Sequence, residues 1–305
     1  MVQDGREDET LVVVSPHPDD AAFSVGGLLA ERNAGALAVG VTVFTRCQAM
    51  HGAPTLTRAV SKPLSLVFSK ARADRWRQRV KLWEVTRLRR REDVRFFKSV
   101  GARRLDLGLI DAQLRGYGWY PIVKDASGVK NDPITNEMIS LFRGKMPPYG
   151  GETVGQPRLD GTGGDGHRSR RMMLLPLALG GHADHVIVRE ACSRLDGDQF
   201  NLYYEDLPYA EGLSDAEIRM GVDSFDPQLE PHIFNIQSSI DRKIENLKLY
   251  KTQVGNEETD RVVRYANRVG GGLGACERLW CRRTPDESWA RRFFRSTEVF
   301  PMEGR

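Results

Sequence analysis

Three side chains suited to metal or acid–base chemistry stand close together near the N-terminus. His17, Asp19 and Asp20 follow the β-branched run Leu11–Val14, in the segment Ser15-Pro-His-Pro-Asp-Asp20. A neutral imidazole and a carboxylate three residues apart in a turn suit a divalent transition ion such as zinc. Adjacent carboxylates repel each other, and a cation would relieve that repulsion. Asp19 would then be free to act as a base beside the ion. An ordinary turn with two aspartates is the alternative.

A second segment, Gly180-Gly-His-Ala-Asp-His185, carries two more imidazoles. His182 and His185 are three residues apart with Asp184 between them, and they account, with His17, for three of the six histidines in the chain. A helix-capping aspartate between two surface histidines is the alternative, but the coincidence favours a joint site. Two histidines and one aspartate, from His17, Asp20 and His185, would leave coordination positions open, which is the pattern of catalytic rather than structural zinc.

Both segments follow predicted strands in a pattern that alternates strands with helices. Such alternation predicts an α/β fold with a mainly parallel sheet between helices, and ligands bind at the carboxyl ends of the strands in such sheets. The predicted strands cover 11–14, 37–45, 104–110, 172–179, 201–207 and 232–236, and the predicted helices 22–33, 70–100, 186–195 and 239–253. Residues 51–85 and 116–171 read as long insertions, and 200–305 as a C-terminal elaboration of one domain.

Composition excludes several classes of protein. With 305 residues, 40% apolar and 28% charged, the chain can bury a core and is not disordered throughout. No apolar run approaches the ~18 residues of a membrane span. The acidic N-terminus lacks the apolar region of a secretory signal, and the four cysteines show neither zinc-finger spacing nor the density of a disulfide framework. We therefore expect a cytoplasmic protein without a membrane span.

Positive charge is concentrated in one predicted helix. Residues 70–104 hold 14 basic and 4 acidic side chains, whereas the whole chain has a net charge of only +4. Trp76, Val80 and Trp83 at helical spacing predict a buried side, so a solvated basic helix is the first interpretation. Docking of an anionic substrate or a phosphate is the second. Nucleic-acid binding is disfavoured, because no recognised nucleic-acid-binding motif accompanies the charge.

Together, the two His/Asp segments resemble the PIG-L/LmbE-like family of metal-dependent N-deacetylases, which includes GlcNAc-phosphatidylinositol de-N-acetylase and the mycothiol- and bacillithiol-pathway deacetylases. The resemblance runs from Leu11 to about Leu195 and returns weakly at Glu277-Arg-Leu-Trp280. It implies a Rossmann-like sheet with the active site at the strand ends. Ala21 departs from the Glu that many members have there, which would affect the surroundings of the ligands and the choice of substrate.

The resemblance also assigns roles to individual residues. It implies that His17, Asp20 and His185 bind Zn²⁺, or another divalent transition metal, and that Asp19 is the general base. It implies that His182 stabilises the oxyanion or protonates the leaving amine, and that Asp184 orients His182. Weaker matches place Arg89 and Asp111 against the substrate.

The function that follows is zinc-dependent removal of an N-acetyl group from an amino-sugar (GlcNAc-type) conjugate, with specialised metabolism as one setting. The basic helix makes an anionic conjugate one option for the substrate. Hydrolysis of another amide, such as a longer N-acyl chain or a thiol-conjugate amide, is one alternative, and a non-catalytic binding module is the other. The sequence does not indicate an oligomeric state.

Overall fold

A computed structural model describes residues 10–32, 37–47, 49, 69–124, 126–129, 131–145, 171–195, 199–282 and 299–301. Residues 51–68 of the predicted insertion 51–85 lie outside these ranges, as do residues 146–170 of the predicted insertion 116–171. His51 and His167 belong to these two segments.

One mixed sheet organises these residues. Its strands are β1 (Thr10–Ser15), β2 (Leu37–Thr42), β3 (Arg103–Asp106), β4 (Arg171–Pro176), β5 (Gln199–Tyr204), β6 (Glu230–Asn235), β7 (Cys276–Cys281) and β8 (Val299–Pro301). They lie in the order β3-β2-β1-β4-β5-β7-β6-β8, with parallel pairing from β3 to β5 and antiparallel pairing beyond β5. The predicted α/β, Rossmann-like and mainly parallel architecture is confirmed.

Seven α-helices accompany the sheet in the described ranges. They are α1 (Asp20–Ala30), α2 (Lys70–Ser99), α3 (Ile134–Lys145), α4 (Ala183–Cys192), α5 (Asp215–Phe225), α6 (Ile240–Leu247) and α7 (Asn256–Gly270). None of the described helices is both long and apolar enough to cross a membrane. All four cysteines are buried and free.

The first helix is buried along almost its whole length, which its small side chains allow. It bends at Val25, whose φ of −129° is not helical. Beyond the bend, the backbone N–H groups of Gly27 and Leu28 donate to the two carboxylate oxygens of Glu277 on β7, at 2.9 and 2.8 Å. Glu277 also accepts from the buried Lys243 ammonium at 2.6 Å. A buried ion pair thus caps the second half of α1 and fixes the helix that begins at Asp20.

The second half of α2 packs against the sheet through two phenylalanines. Phe96 and Phe97 are fully buried, and a Cβ at Gly40 on β2 would lie 2.0 Å from the Phe97 ring, so only glycine permits this contact. The first half differs from the prediction. Trp76 and Trp83 are 47% and 53% exposed, and Ala73 is the one buried residue in the range 70–83. The predicted buried side of the basic helix is therefore wrong for its N-terminal half.

Five strands and helices were absent from the prediction. Helix α3 lies inside the supposedly irregular segment 116–171, and α5, α7 and the antiparallel strands β7 and β8 lie in the C-terminal part of the chain. The strands and helices that position the two His/Asp segments have ends that differ from the prediction by one to three residues.

Candidate metal centre

The two His/Asp segments meet at the centre of the sheet. Strands β1 and β4 are neighbours, with Val13 paired to Leu174, and the chain order of the sheet reverses at this pair. Such a reversal opens a crevice at the carboxyl ends of the strands, where ligands bind in open α/β sheets. The potential ligand atoms of His17, His182 and His185 lie within 4.8 Å of one another.

The turn after β1 is held by hydrogen bonds within itself. The Ser15 hydroxyl donates to the His17 carbonyl at 2.6 Å and accepts from the Ala21 N–H at 3.1 Å. The His17 N–H donates to Asp20 Oδ2 at 2.7 Å. Asp19 has a φ of +114°, which is strained for a residue with a side chain. Strain of this kind often occurs at functional sites and agrees with a specialised role for Asp19.

Three potential ligand atoms face a common point. Asp20 Oδ2 lies 3.3 Å from His17 Nδ1 and 3.3 Å from His185 Nε2. His185 is fully buried, and its Nε2 has no hydrogen-bond partner among the described residues. Leaving such a polar atom unpaired is costly. A metal ion would satisfy it, so the donor set of two imidazoles and one carboxylate fits a divalent ion.

The other nitrogen of each of these imidazoles contacts a carboxylate. His17 Nε2 lies 2.8 Å from Asp184 Oδ2, and His185 Nδ1 lies 2.6 Å from Asp206 Oδ1. Carboxylates in these positions orient metal-binding histidines and increase their basicity. Both aspartates are essentially inaccessible to solvent. Each of the two imidazoles therefore has one nitrogen on a buried carboxylate and the other toward Asp20 Oδ2.

The carboxylates around His17 and His185 favour positive charge on both imidazoles. Burial opposes protonation of His17 and His185, but the neighbouring carboxylates dominate and raise the pKa values of these imidazoles to about 9 and about 10. Burial alone would raise the pKa of Asp20, yet His185 and His17 hold it well below its usual range. The site thus has a strong demand for positive charge, which a divalent ion can meet.

Asp19 lies beside this centre but is held by a different partner. One guanidinium nitrogen of Arg89 donates to Asp19 Oδ1 and Oδ2 at 3.1 and 3.2 Å and to the Pro18 carbonyl at 2.8 Å. Burial raises the pKa of Asp19 to about 7 although Arg89 acts in the opposite direction. Arg89 is 5% exposed, and its guanidinium holds Asp19 while lining the same cavity. Its role as a substrate contact stays a prediction.

His182 faces the same space, and no carboxylate of the described part of the chain pairs with its ring. Its Nδ1 accepts a hydrogen bond from the Asp184 N–H at 3.2 Å, and its ring centroid lies 4.9 Å from that of His17. Burial and the neighbouring His17 and His185 lower the pKa of His182 to about 3. A neutral His182 that accepts at Nδ1 carries its proton on Nε2. The expectation for Asp184 therefore needs correction, because its carboxylate contacts His17, whereas its backbone contacts His182.

A cavity of about 300 Å³ opens above these residues. Asp111, 5% exposed, lies in its wall and accepts from the Leu114 N–H at 3.2 Å. Tyr209 lies on the opposite side, with its ring centroid 5.5 Å from that of His185. Seven of the eight residues singled out from the sequence line this cavity, namely His17, Asp19, Asp20, Arg89, Asp111, His182 and Asp184, and His185 lies directly behind Asp20.

Two residues of the site, Asp206 and Tyr209, were not predicted from the sequence. Both belong to the loop after β5, the strand next to β4 in the sheet. An aspartate after a strand was the signal that identified Asp20, and it applies to Asp206 as well. The predicted strand 201–207 extended over Asp206 and concealed it.

Comparison with known proteins identifies the same family that the two His/Asp segments resemble. Residues 12–195 match the family model described as "PIG-L: GlcNAc-PI de-N-acetylase". A 2'-N-acetylparomamine deacetylase from Streptomyces fradiae is 29% identical over 306 residues, which cover 94% of this chain and 93% of that protein. The resemblance drawn from the motifs is confirmed.

Solved structures with the same fold include two antibiotic deacetylases. The deacetylase of the A40926 pseudoaglycone, Dbv21, has a TM-score of 0.52 and 20% identity, covering 92% of this chain and 100% of its own. A deacetylase of teicoplanin biosynthesis has a TM-score of 0.54 and 19% identity, covering 89% and 96%. At these identities the likeness concerns the fold.

Proposed function

The chain belongs to the PIG-L family and is an N-deacetylase that hydrolyses an amide C–N bond, and we propose that it removes an N-acetyl group from an amino-sugar conjugate of the aminoglycoside type. The observation that carries the proposal is the convergence of His17 Nδ1, Asp20 Oδ2 and His185 Nε2 on one point, with Asp19 and His182 beside it. Family membership favours an enzyme over the binding module that the sequence left open.

We propose that His17, Asp20 and His185 hold zinc. Nitrogen and oxygen donors of this kind suit Zn²⁺, although other divalent transition ions accept the same set. The chemistry that such a bound ion supplies is Lewis acidity toward water and toward an acyl carbonyl. Three protein ligands would leave coordination positions open for the water and for the acyl carbonyl oxygen.

In this scheme Asp19 accepts the proton of the attacking water. The water oxygen bonds to the acyl carbon, and the C–N bond then breaks to give acetate and an amine. Arg89 holds both Asp19 oxygens and so fixes the direction of the carboxylate. General-base catalysis by a positioned side chain contributes typically 10²–10⁴-fold.

His182 would donate a hydrogen bond from Nε2 to the oxyanion of the tetrahedral intermediate. Its Nδ1 is occupied as an acceptor, so the neutral ring has one proton, and giving it away would leave an anionic imidazole. We therefore assign protonation of the leaving amine to Asp19, which returns the proton taken from water. A well-placed oxyanion donor is commonly worth ~3–4 kcal/mol.

The substrate class is proposed from the relative and from the cavity. The Streptomyces fradiae protein is named for an N-acetylated aminoglycoside and aligns with nearly the whole of this chain. The cavity volume of about 300 Å³ matches one sugar ring rather than a large aglycone. Asp111 supplies a carboxylate that a hydroxyl or an ammonium group of the sugar would contact.

The cavity favours a neutral or cationic conjugate over an anionic one. Its two arginines, Arg89 and Arg261, are already paired with Asp19 and Glu211. Five other arginines of helix α2, namely Arg79, Arg87, Arg90, Arg91 and Arg95, line a separate groove that shares no residue with the cavity. Apart from Arg89, which Asp19 neutralises, the positive charge of α2 is thus not directed at the site.

The test is acetate release from a matched panel of N-acyl amino sugars. Zinc-loaded protein should release acetate from N-acetylated aminoglycosides, chelation should abolish the release, and His185→Ala should neither bind zinc nor turn over substrate. Faster cleavage of longer N-acyl chains would favour the alternative amide hydrolase. Zinc binding without cleavage of any acyl sugar would contradict the proposed substrate class.

A further inference from the structure

Arg115 lies one layer behind the candidate metal centre, and neither motif contains it. It ends the short turn Ala112–Arg115 after β3, and its side chain is 12% exposed. Its Nε lies 3.2 Å from Asp132 Oδ2, and one terminal nitrogen lies 2.8 Å from Asp184 Oδ1. The same nitrogen donates to the Ile110 carbonyl at 2.6 Å. The guanidinium thus joins two carboxylates that are distant in the sequence.

The two oxygens of Asp184 have different surroundings. Oδ1 forms an ion pair with Arg115 but accepts no hydrogen bond from a described residue, whereas Oδ2 accepts from the Ala112 N–H at 2.9 Å and lies 2.8 Å from His17 Nε2. Asp184 has no exposed surface, so an unpaired charge there would be costly. Arg115 supplies the countercharge on the side that His17 does not occupy.

Aromatic contacts hold Arg115 in this orientation. Its guanidinium lies 4.9 Å from the Phe44 ring centroid and 5.4 Å from that of Tyr117. The Phe44 ring lies 5.9 Å from the His17 ring. The Tyr117 hydroxyl donates to Asp132 at 2.9 Å, so the carboxylate that contacts Arg115 Nε is also held in place. His17 and Arg115 therefore contact the same aspartate and the same aromatic ring.

We propose that Arg115 is a positioning residue for the metal centre: through Asp184 it holds the His17 ring with Nε2 on the carboxylate and Nδ1 toward Asp20 and His185. This inference rests on the proposed function, because it takes His17 as a metal ligand. It also explains why the Asp184 carboxylate contacts the His17 ring. His182 Nε2 is then available to contact the substrate.

The experiment measures zinc affinity without substrate. Apo protein prepared by chelation is titrated with zinc against a chromophoric competitor. Arg115→Met should weaken zinc binding about 10- to 100-fold, the usual effect of losing a group that supports a metal ligand. Arg115→Lys keeps the positive charge but lacks the planar guanidinium, so it should weaken zinc binding less than Arg115→Met does. At saturating zinc, KM should stay close to its wild-type value.

Arg104 offers a matched control. It also joins two carboxylates, Asp93 and Asp106, and its side chain is 11% exposed, but neither partner lines the cavity. Arg104→Met should lower the unfolding midpoint, as Arg115→Met does, while zinc affinity stays within about twofold of wild type. If Arg115→Met fails to fold, Arg115→Lys is compared with Arg104→Lys, and only the former should weaken zinc binding.

The outcomes separate this inference from the proposed function. Wild-type affinity in the Arg115 variants, or equal losses at Arg115 and Arg104, would assign Arg115 a structural role and overturn the inference alone. Failure of the wild-type protein to bind zinc would overturn both. Zinc binding that depends on Arg115 in a protein that cleaves no acyl sugar would support the inference and contradict the substrate assignment.

Discussion

Asp19 combines two unfavourable features that an ordinary turn aspartate lacks. Its φ is +114°, and its side chain is almost completely buried. A strained backbone conformation of this kind costs of order 1–3 kcal/mol, so the surrounding structure must impose it. The Ser15 hydrogen bonds and the Arg89 guanidinium do so. The two adjacent carboxylates thus have different partners, Arg89 for Asp19 and the imidazoles of His17 and His185 for Asp20.

The role of Asp19 as base predicts a specific kinetic effect. Asp19→Asn preserves shape but cannot accept the proton of water, so kcat should fall 10²- to 10⁴-fold while zinc content stays at the wild-type level. Asp111→Asn is the comparison, because a substrate contact should raise KM and leave kcat nearly unchanged. Steady-state kinetics with metal analysis measures both. Full turnover by Asp19→Asn would remove the base assignment.

Substitution of Asp206 should have the opposite effect to that of Asp19: the protein should bind zinc more weakly but keep its general base. It accepts at 2.6 Å from His185 Nδ1, so Asp206→Asn should weaken zinc binding about 10- to 100-fold. Asp226→Asn is a control, because Asp226 is also buried but pairs with Arg282 away from the cavity. Competition titrations should separate the two variants. Equal zinc affinities for both would show that Asp206 does not support His185.

At the scale of elements, α1 depends on a distant strand. Glu277 on β7 accepts from Gly27, Leu28 and Lys243, and a Cβ at Gly27 would lie 2.5 Å from the Ile236 side chain. The late Glu-Arg-Leu-Trp element, noted in the sequence only as a resemblance, thus has a physical role. It holds the helix whose first residue is Asp20, the proposed ligand.

This interaction predicts a large loss of stability in Glu277→Gln. The substitution leaves the buried Lys243 ammonium without a countercharge, which costs about 3–5 kcal/mol in comparable buried pairs. Lys243→Met in the same chain should restore part of that free energy, because no unpaired charge remains. Urea denaturation of the single and double variants gives the values. A Glu277→Gln protein with wild-type stability would show that the pair does not contribute.

The sequence predicted elements well where the pattern is local. His17, Asp20 and His185 follow short apolar strands, and both features can be recognised within about ten residues. Trp76 and Trp83 show where this reasoning fails, because helical spacing indicates a common face but not whether another element covers it. The antiparallel strand β7 and the partners of Asp184 and Arg89 depend on contacts between residues far apart in the chain, which no local pattern contains.

At the scale of the whole molecule, the order of the strands creates the site. The two motifs are separated by more than 150 residues in the sequence, yet they follow neighbouring strands, and the loop of Asp206 follows the next one. Connections from β1 and β4 leave in opposite directions along the sheet, and this opens the crevice between them. The fold therefore explains why histidines and aspartates from three distant segments of the chain lie close together.

Anomalous diffraction from zinc-loaded crystals, recorded on both sides of the zinc edge, locates the ion directly. The account predicts one strong peak within bonding distance, about 2.0–2.2 Å, of His17 Nδ1, Asp20 Oδ2 and His185 Nε2, with Asp19 outside the coordination sphere. A peak bound by other residues, or no peak at stoichiometric zinc, would contradict it.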